Sequence, residues 1–219
     1  SPKLKLFRFK NNTTMTVTFS EAVYNTNSGS GSLEVSDFAF ALSGGDATLS
    51  STTPSSISIN GNEYTLGISL SGTPTGSETL TVNPASASIY DAVGNVASTS
   101  QSNNSISLND KLGPTMTISS STVNSGETSN DSTISLTFTS SESTTNFIKD
   151  DITISSGSLS TLSGSGTTYT ATLTPSGDAT YTISVAQNKF TDSAGNNNSA
   201  SNTFSWTYDA TAPTISGVT

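Results

Sequence analysis

The sequence predicts an all-β chain built as two tandem antiparallel β-sandwiches. Three observations carry that prediction. Apolar residues alternate with hydroxyl residues in one short segment after another, turn residues punctuate the segments, and much of one half of the chain is written again in the other. Alternation of period two marks a strand with one buried face, and turn signals at short, regular spacing suit a sandwich.

The strands are legible in order. "TMTVTF" puts Met15, Val17 and Phe19 on one side, and "YTLGISL" aligns Tyr64, Leu66, Ile68 and Leu70. "STISLTF" does the same with Ile134, Leu136 and Phe138, and "TFSWTY" with Phe204, Trp206 and Tyr208. "NGN", "SGTPTG", "SGSG" and "PSGD" lie between such segments, where Gly permits positive φ and Pro fixes its own. No segment carries a convincing helical period. The opening "KLKLFRFK" is more basic and apolar than the rest, so the first strand is the least regular.

Internal repetition sets the domain organisation. Aligned without gaps at an offset of 101, "GSETLTVNPASASIYDAVGNVAS" from Gly76 meets "GDATYTISVAQNKFTDSAGNNNS" from Gly177. "GNEYTL" from Gly61 meets "GTTYTA" from Gly166 at an offset of 105, and "DKLGPT" from Asp110 meets "DATAPT" from Asp209 at 99. Drift of this kind is loop-length variation between folded copies. The expected copies are 1–112 and 113–211, with 212–219 opening a third, so the chain reads as a piece of a longer repeat array. Pro114 and Pro213 stiffen the linkers, and Pro2 stands where a boundary Pro is expected.

Composition narrows the function. The chain has 219 residues with 45 Ser and 38 Thr, only 11% charged residues, no Cys and no His. That removes disulfides, thiol chemistry and Cys-ligated metals, the usual general base and the commonest transition-metal ligand. Four of the seven bases (Lys3, Lys5, Arg8, Lys10) fall in the first ten residues; beyond them 16 acids face 3 bases, a net of −13. Such a body repels phosphate backbones, so no nucleic-acid partner is expected. No apolar run approaches the length of a membrane span, and any export signal lies outside this stretch.

"VTFSEAV", "DAVGN", "TFTSSESTTNFIKDDITISSGSL", "DSAGNNNSA" and "WTYDATAPT" together resemble the bacterial Ig-like repeats of very large surface and secreted proteins, adhesins included. The first copy is also similar to the related repeats of cyanobacterial and marine bacterial surface proteins. The resemblance spans nearly the whole chain. It implies Ig-like sandwiches of seven or eight strands, with Greek-key connections, used as a stalk or spacer and sometimes rigidified by calcium. It also implies an extracellular or cell-surface location.

The acidic loops are the candidate site. In an Ig-type sandwich the B–C and F–G loops lie at the end where the domain begins. With strand B at about 133–139, C at about 148–154, F at about 179–185 and G at about 203–208, Glu142, Asp150 and Asp151 fall in or beside B–C and Asp192 in F–G. Asp110, in the linker, enters at the same end. Glu21, Asp37 and Asp91 are the counterparts in the first copy, and Asp209 serves the next. Clustered carboxylates suit Ca²⁺, which takes about six to eight oxygens, better than Mg²⁺, which keeps its waters. The competing reading of the Asp-x-x-Gly-Asn loops is plain turn chemistry, since Asp and Asn bond nearby backbone.

Other sites are weaker. A Lys–Asn crosslink lacks a repeated lysine, because Lys189 faces Ser88 in the alignment and Lys149 has no counterpart. Nothing pairs a nucleophile with a base, so no enzyme is expected. For sugars, Trp206 reads as core, while Tyr24 and Tyr90 lie beside turns without an obvious second ring. The sequons at Asn11, Asn12, Asn103, Asn130 and Asn197 are no more than chance supplies. The expected role is a stalk or spacer whose partners are neighbouring repeats. The alternatives are a self-assembling filament or sheath subunit, exposed at its strand faces and edges, and a glycan-binding module of a secreted enzyme.

Overall fold

The structure, a computed structural model, describes residues 1–217. It is all-β, with two short 3₁₀ turns as its only helical elements among those residues. The chain divides after Leu112 into two units, each with a separate apolar core.

Unit 1 opens with β1 (Leu4–Asn11) and β2 (Thr14–Phe19), joined by a tight hairpin. A 3₁₀ turn at Val35–Asp37 leads into β3 (Phe38–Ser43) and β4 (Thr48–Leu49). Then come β5 (Ile57–Asn60), β6 (Glu63–Gly67), β7 (Leu70–Ser71), β8 (Thr79–Pro84) and β9 (Ser105–Ser107). One sheet runs β1-β2-β6-β5, the other β3-β8-β9, and β4 pairs β7 as a small ribbon. This is the arrangement of an Ig constant-type sandwich, four strands over three. Met15, Val17 and Phe19 of β2 and Tyr64 and Leu66 of β6 face Phe38 and Phe40 of β3 and Leu80 and Val82 of β8. Outward positions of β2 carry Thr14, Thr16 and Thr18, and the Thr16 and Thr65 hydroxyls meet across the strands at 2.9 Å.

Unit 2 comprises β10 (Met116–Ser120), β11 (Thr128–Ser129), β12 (Ile134–Thr144), a 3₁₀ turn at Lys149–Asp151, and β13 (Ile152–Ile154). It continues with β14 (Ser158–Leu159), β15 (Ser163–Thr174), β16 (Ala179–Val185) and β17 (Phe204–Tyr208). Its sheets are β10-β12-β15-β14 and β11-β17-β16-β13, with β11 parallel to β17 and every other pairing antiparallel. Trp206 is fully buried, donates its ring N–H to Ser129 Oγ at 2.9 Å and packs between Tyr181 and Tyr208. It is core and offers no platform to a sugar.

Two boundaries differ from the sequence reading. Strand B runs on to Thr144, because after an irregularity beyond Thr139 it recovers pairing with β15 at Thr144 and Gly166. Glu142 therefore stands near the end of β12, beside the loop that follows. The stretch expected as strand C begins with the 3₁₀ turn, so Asp150 and Asp151 precede the strand proper. Of the segment expected to open a third copy, residues 212–217 carry no regular structure, and Val218 and Thr219 lie outside the described residues.

One amide ties the first strand of each unit into place. Asn202 accepts the Ile118 N–H on Oδ1 (2.7 Å) and donates Nδ2 to the Ile118 carbonyl (2.9 Å), imitating a neighbouring strand beside β10. Gln101, 101 residues earlier, accepts the Leu4 N–H at 3.1 Å. Asn202→Ala is expected to cost unit 2 about 1–3 kcal/mol through two unmade bonds to a half-buried strand, seen as faster amide exchange confined to β10.

Candidate functional site: the acidic loops

The Asp-x-x-Gly-Asn loop folds the same way in both units. Asp91 is buried, and its carboxylate accepts the N–H groups of Val93 (3.1 Å) and Asn95 (2.9 Å) and the Asn95 side-chain amide (2.8 Å). Asp192, also buried, accepts the Asn196 N–H and Asn196 Nδ2, both at 2.9 Å. The backbones agree: Gly94 N–H donates to Asp91 O and Gly195 N–H to Asp192 O. Gly94 (φ +86°) and Gly195 (φ +88°) sit in the left-handed region, and a Cβ at Gly94 would stand 2.6 Å from the Asn27 carbonyl. The motif is thus a closed hydrogen-bonding unit, which explains why the spacing recurs wherever this turn recurs.

Charge follows from the same bonds. The Asn95 side-chain amide leads in holding Asp91 below its ordinary carboxylate range. Burial by itself would raise Asp192, but the Asn196 amide and the loop N–H groups outweigh it and lower the pKa. Both loops therefore keep an ionised carboxylate on little exposed surface.

The remaining predicted residues separate into two kinds. Asp37 and Asp151 turn back onto their own 3₁₀ turns, accepting the N–H of Glu34 at 2.7 Å and of Ile148 at 2.9 Å. Burial raises the Asp37 pKa, with the Glu34 N–H opposing and the Glu34 charge adding to the rise. Asp110 and Asp209 close the exit turns of their units, accepting the N–H two residues on, Leu112 at 2.9 Å and Thr211 at 3.0 Å. Glu21 and Asp150 are exposed. Within unit 2, Glu142 and Asp192 are brought together: their carboxylate oxygens lie within 4.8 Å of each other.

Neither lysine weighed for a crosslink is placed for one. The Lys149 ammonium donates to the Leu159 carbonyl at 2.6 Å, and Lys189 is exposed.

Two buried polar residues escaped the sequence reading. Glu78 is fully buried in unit 1 and accepts N–H groups from Asp46, Ala47 and Thr75. Asn198 is buried in unit 2, accepting from the N–H of Lys189 and Phe190 and donating to the carbonyls of Ala186 and Ser199. Tyr24 and Tyr90, which had no visible second ring, are direct backbone partners in an antiparallel bridge. Only the amides at Gln101 and Asn202 leave a trace in sequence, as like residues at the repeat offset.

Residues 110–208, spanning every strand of unit 2, match the family described as bacterial Ig-like domain. The resemblance read from the sequence holds over that stretch. Over 94% of its length the chain is similar to a solved structure titled "Structure of Yersinia pseudotuberculosis InvD", at 17% identity and a TM-score of 0.36. It covers 57% of that chain, a little over half its length. No curated protein matches the sequence.

Proposed function

We propose, from the bacterial Ig-like domain matched by residues 110–208, that the chain is a stalk or spacer segment of a long extracellular repeat protein, an adhesin or a surface filament. The observation that carries this reading is that two sandwiches with separate cores follow one another and leave by the same Asp-capped, Pro-containing turn. A unit that buries its own core and repeats its exit can be strung in series, and its work is mechanical rather than catalytic. Residues 212–219 open a further copy in this proposal. Among the described residues no helix is long and apolar enough to cross a membrane.

Calcium binding by the acidic loops belongs to the same proposal, with Glu142 and Asp192 as the pair in unit 2 and Asp110 as the linker carboxylate. Two carboxylates within 4.8 Å repel each other whenever both are charged, and a divalent cation relieves that. The fragment is expected to melt higher in millimolar Ca²⁺ than in EDTA, by about 2.7 kcal/mol of added stability at a hundredfold excess over Kd, and its small-angle scattering is expected to stiffen. Glu142→Gln is expected to remove the response while leaving the Asp192 turn intact. Identical melting and scattering in EDTA and calcium would leave the acidic loops as turn chemistry alone.

A second reading, lateral assembly into a filament or sheath, is favoured by the outer face of one sheet of unit 2. Thr117 and Ser119 of β10, Ser135, Thr137 and Thr139 of β12, and Thr168, Thr170 and Thr172 of β15 present hydroxyls without a charge. Concentration-dependent light scattering that Thr137→Lys suppresses is the outcome expected of that reading.

A further inference from the structure

We propose that Tyr24, Tyr90 and Val96 of unit 1 form a contact strip for a neutral polysaccharide chain. The inference rests on the surface role proposed above, which is where such chains are met.

The strip is defined by backbone pairing. Tyr24 and Tyr90 exchange two N–H···O bonds of 2.8 Å, and Tyr90 also bridges Val96, flanked by the Ala97-to-Ile89 and Asp91-to-Asn95 bonds. Residues directly opposite in antiparallel pairs point to the same face. Burial agrees: Val23, Ile89 and Ala97 turn into the core, while Tyr24 and Tyr90 are half-buried and Val96 is 45% exposed. Two aromatic side chains and one aliphatic side chain therefore share one face, opposite to that of Val23, Ile89 and Ala97.

The fold does not need them there. The aligned bridge in unit 2 joins Thr191 to Asn197, and the place of Tyr24 is taken by Asn146, whose side chain bonds Thr191 through its N–H (3.0 Å) and its hydroxyl (3.2 Å). The same loop closes with a polar rank in one copy and an apolar rank in the other, so the apolar residues answer to something outside the sandwich.

The strip is also held ready. Gly29 (φ +72°) and Gly94 (φ +86°) let the loop after β2 lie directly on the Asp-x-x-Gly-Asn loop, where a Cβ at Gly29 would meet the Ala92 carbonyl at 2.6 Å. The Tyr90 phenol is pinned by its bond to the Ala87 carbonyl, at 2.7 Å. Immobilising these groups before binding removes an ordering cost.

Size and charge choose the occupant. Steps of about 5.5 and about 4.5 Å across the two pairs make a rank about 10 Å long, and its three side chains are far fewer than the roughly 20–30 residues a side that bury about 800 Å² per partner in a stable protein interface. A sugar chain offers narrow C–H faces for such a rank and hydroxyls for its rim. Thr26, Ser28 and Ser30 of the adjoining loop expose hydroxyls beside it. Unit 1 has eight acids against five bases, a net of −3, and Asp91 directly follows Tyr90, which disfavours polyanions and leaves neutral glycans.

The test is native electrophoresis of the whole chain through gels containing galactomannan, hydroxyethylcellulose or dextran. Retardation is expected in at least one, weakened about tenfold by Tyr90→Thr with Val96→Asn, the residues unit 2 carries at 191 and 197, with unchanged melting. Free migration of the wild type in all three gels, or equal retardation of the variant, overturns the proposal. Loss of self-association by light scattering with unaltered migration assigns the strip to a second copy and also overturns it. The scattering and melting that test the stalk reading involve no glycan, so either proposal can fail alone.

Discussion

Phe138→Ala is expected to lower the stability of unit 2 by about 3–5 kcal/mol, a large share of the roughly 5–15 kcal/mol that holds a domain of this size. Phe138 is fully buried on β12, the central strand that pairs with both β10 and β15, and its ring meets Phe147 at 5.8 Å. Phe147 in turn contacts Tyr169 and Phe190, so truncating Phe138 opens a cavity beside the hub of an aromatic cluster, which Phe147 can fill only by leaving its own contacts. The measurement is direct. Trp206 is the chain's only Trp and lies in unit 2, so its fluorescence in a urea titration reports that unit by itself. The midpoint is expected to fall sharply with little change in slope. A midpoint within error of the wild type would mean that this core does not carry the unit.

Glu78→Ala is expected to cost unit 1 about 2–4 kcal/mol, a loss of a different origin. The carboxylate is fully buried and gathers the N–H groups of Asp46 and Ala47 at 3.0 Å, with Thr75 held by both oxygens. Truncation strands those donors around a void, since the backbone at Gly45 passes so close that a Cβ there would overlap the Glu78 carboxyl group. Burial would raise this carboxyl, but the ring of N–H donors from Ala47, Thr75 and Asp46 more than offsets it and lowers the pKa below its ordinary 4.5. The contribution is therefore complete above about pH 4.5 and is lost as pH falls through the lowered folded value. Acid melting of unit 1 should steepen in that window, and Glu78→Gln should remove part of that slope. Hydrogen exchange of the segments 44–49 and 72–80 would show it, and unchanged protection there in Glu78→Ala would remove Glu78 as the clasp of these loops.

Glu78 also shows why part of the molecule was hidden from its sequence. Within "GSETL" it reads as one more polar residue in an alternating segment, because the donors that justify burying it come from residues 46, 47 and 75, reached only when the loops fold together. Tyr24 and Tyr90 are 66 positions apart, and their pairing depends on how the loop after β2 lies over the Asp-x-x-Gly-Asn turn. Glu142, read as in or beside the B–C loop, stands at the strand end for a similar reason: the length of β12 is set by its partner β15 and by no signal of its own.

What the sequence by itself determined is what depends on local period and on repetition: the all-β class, the inward residues of β2, β6, β12 and β17, and the recurring Asp-x-x-Gly-Asn turn. A period of two commits a segment to one buried face, and side chains a few residues apart suffice to close a turn, so both are written in contiguous residues. Only the tertiary structure decided which polar groups are buried, how far strands run, and which exposed residues stand side by side. Those outcomes depend on hydrogen bonds and contacts between segments distant in the chain, and no local pattern records them.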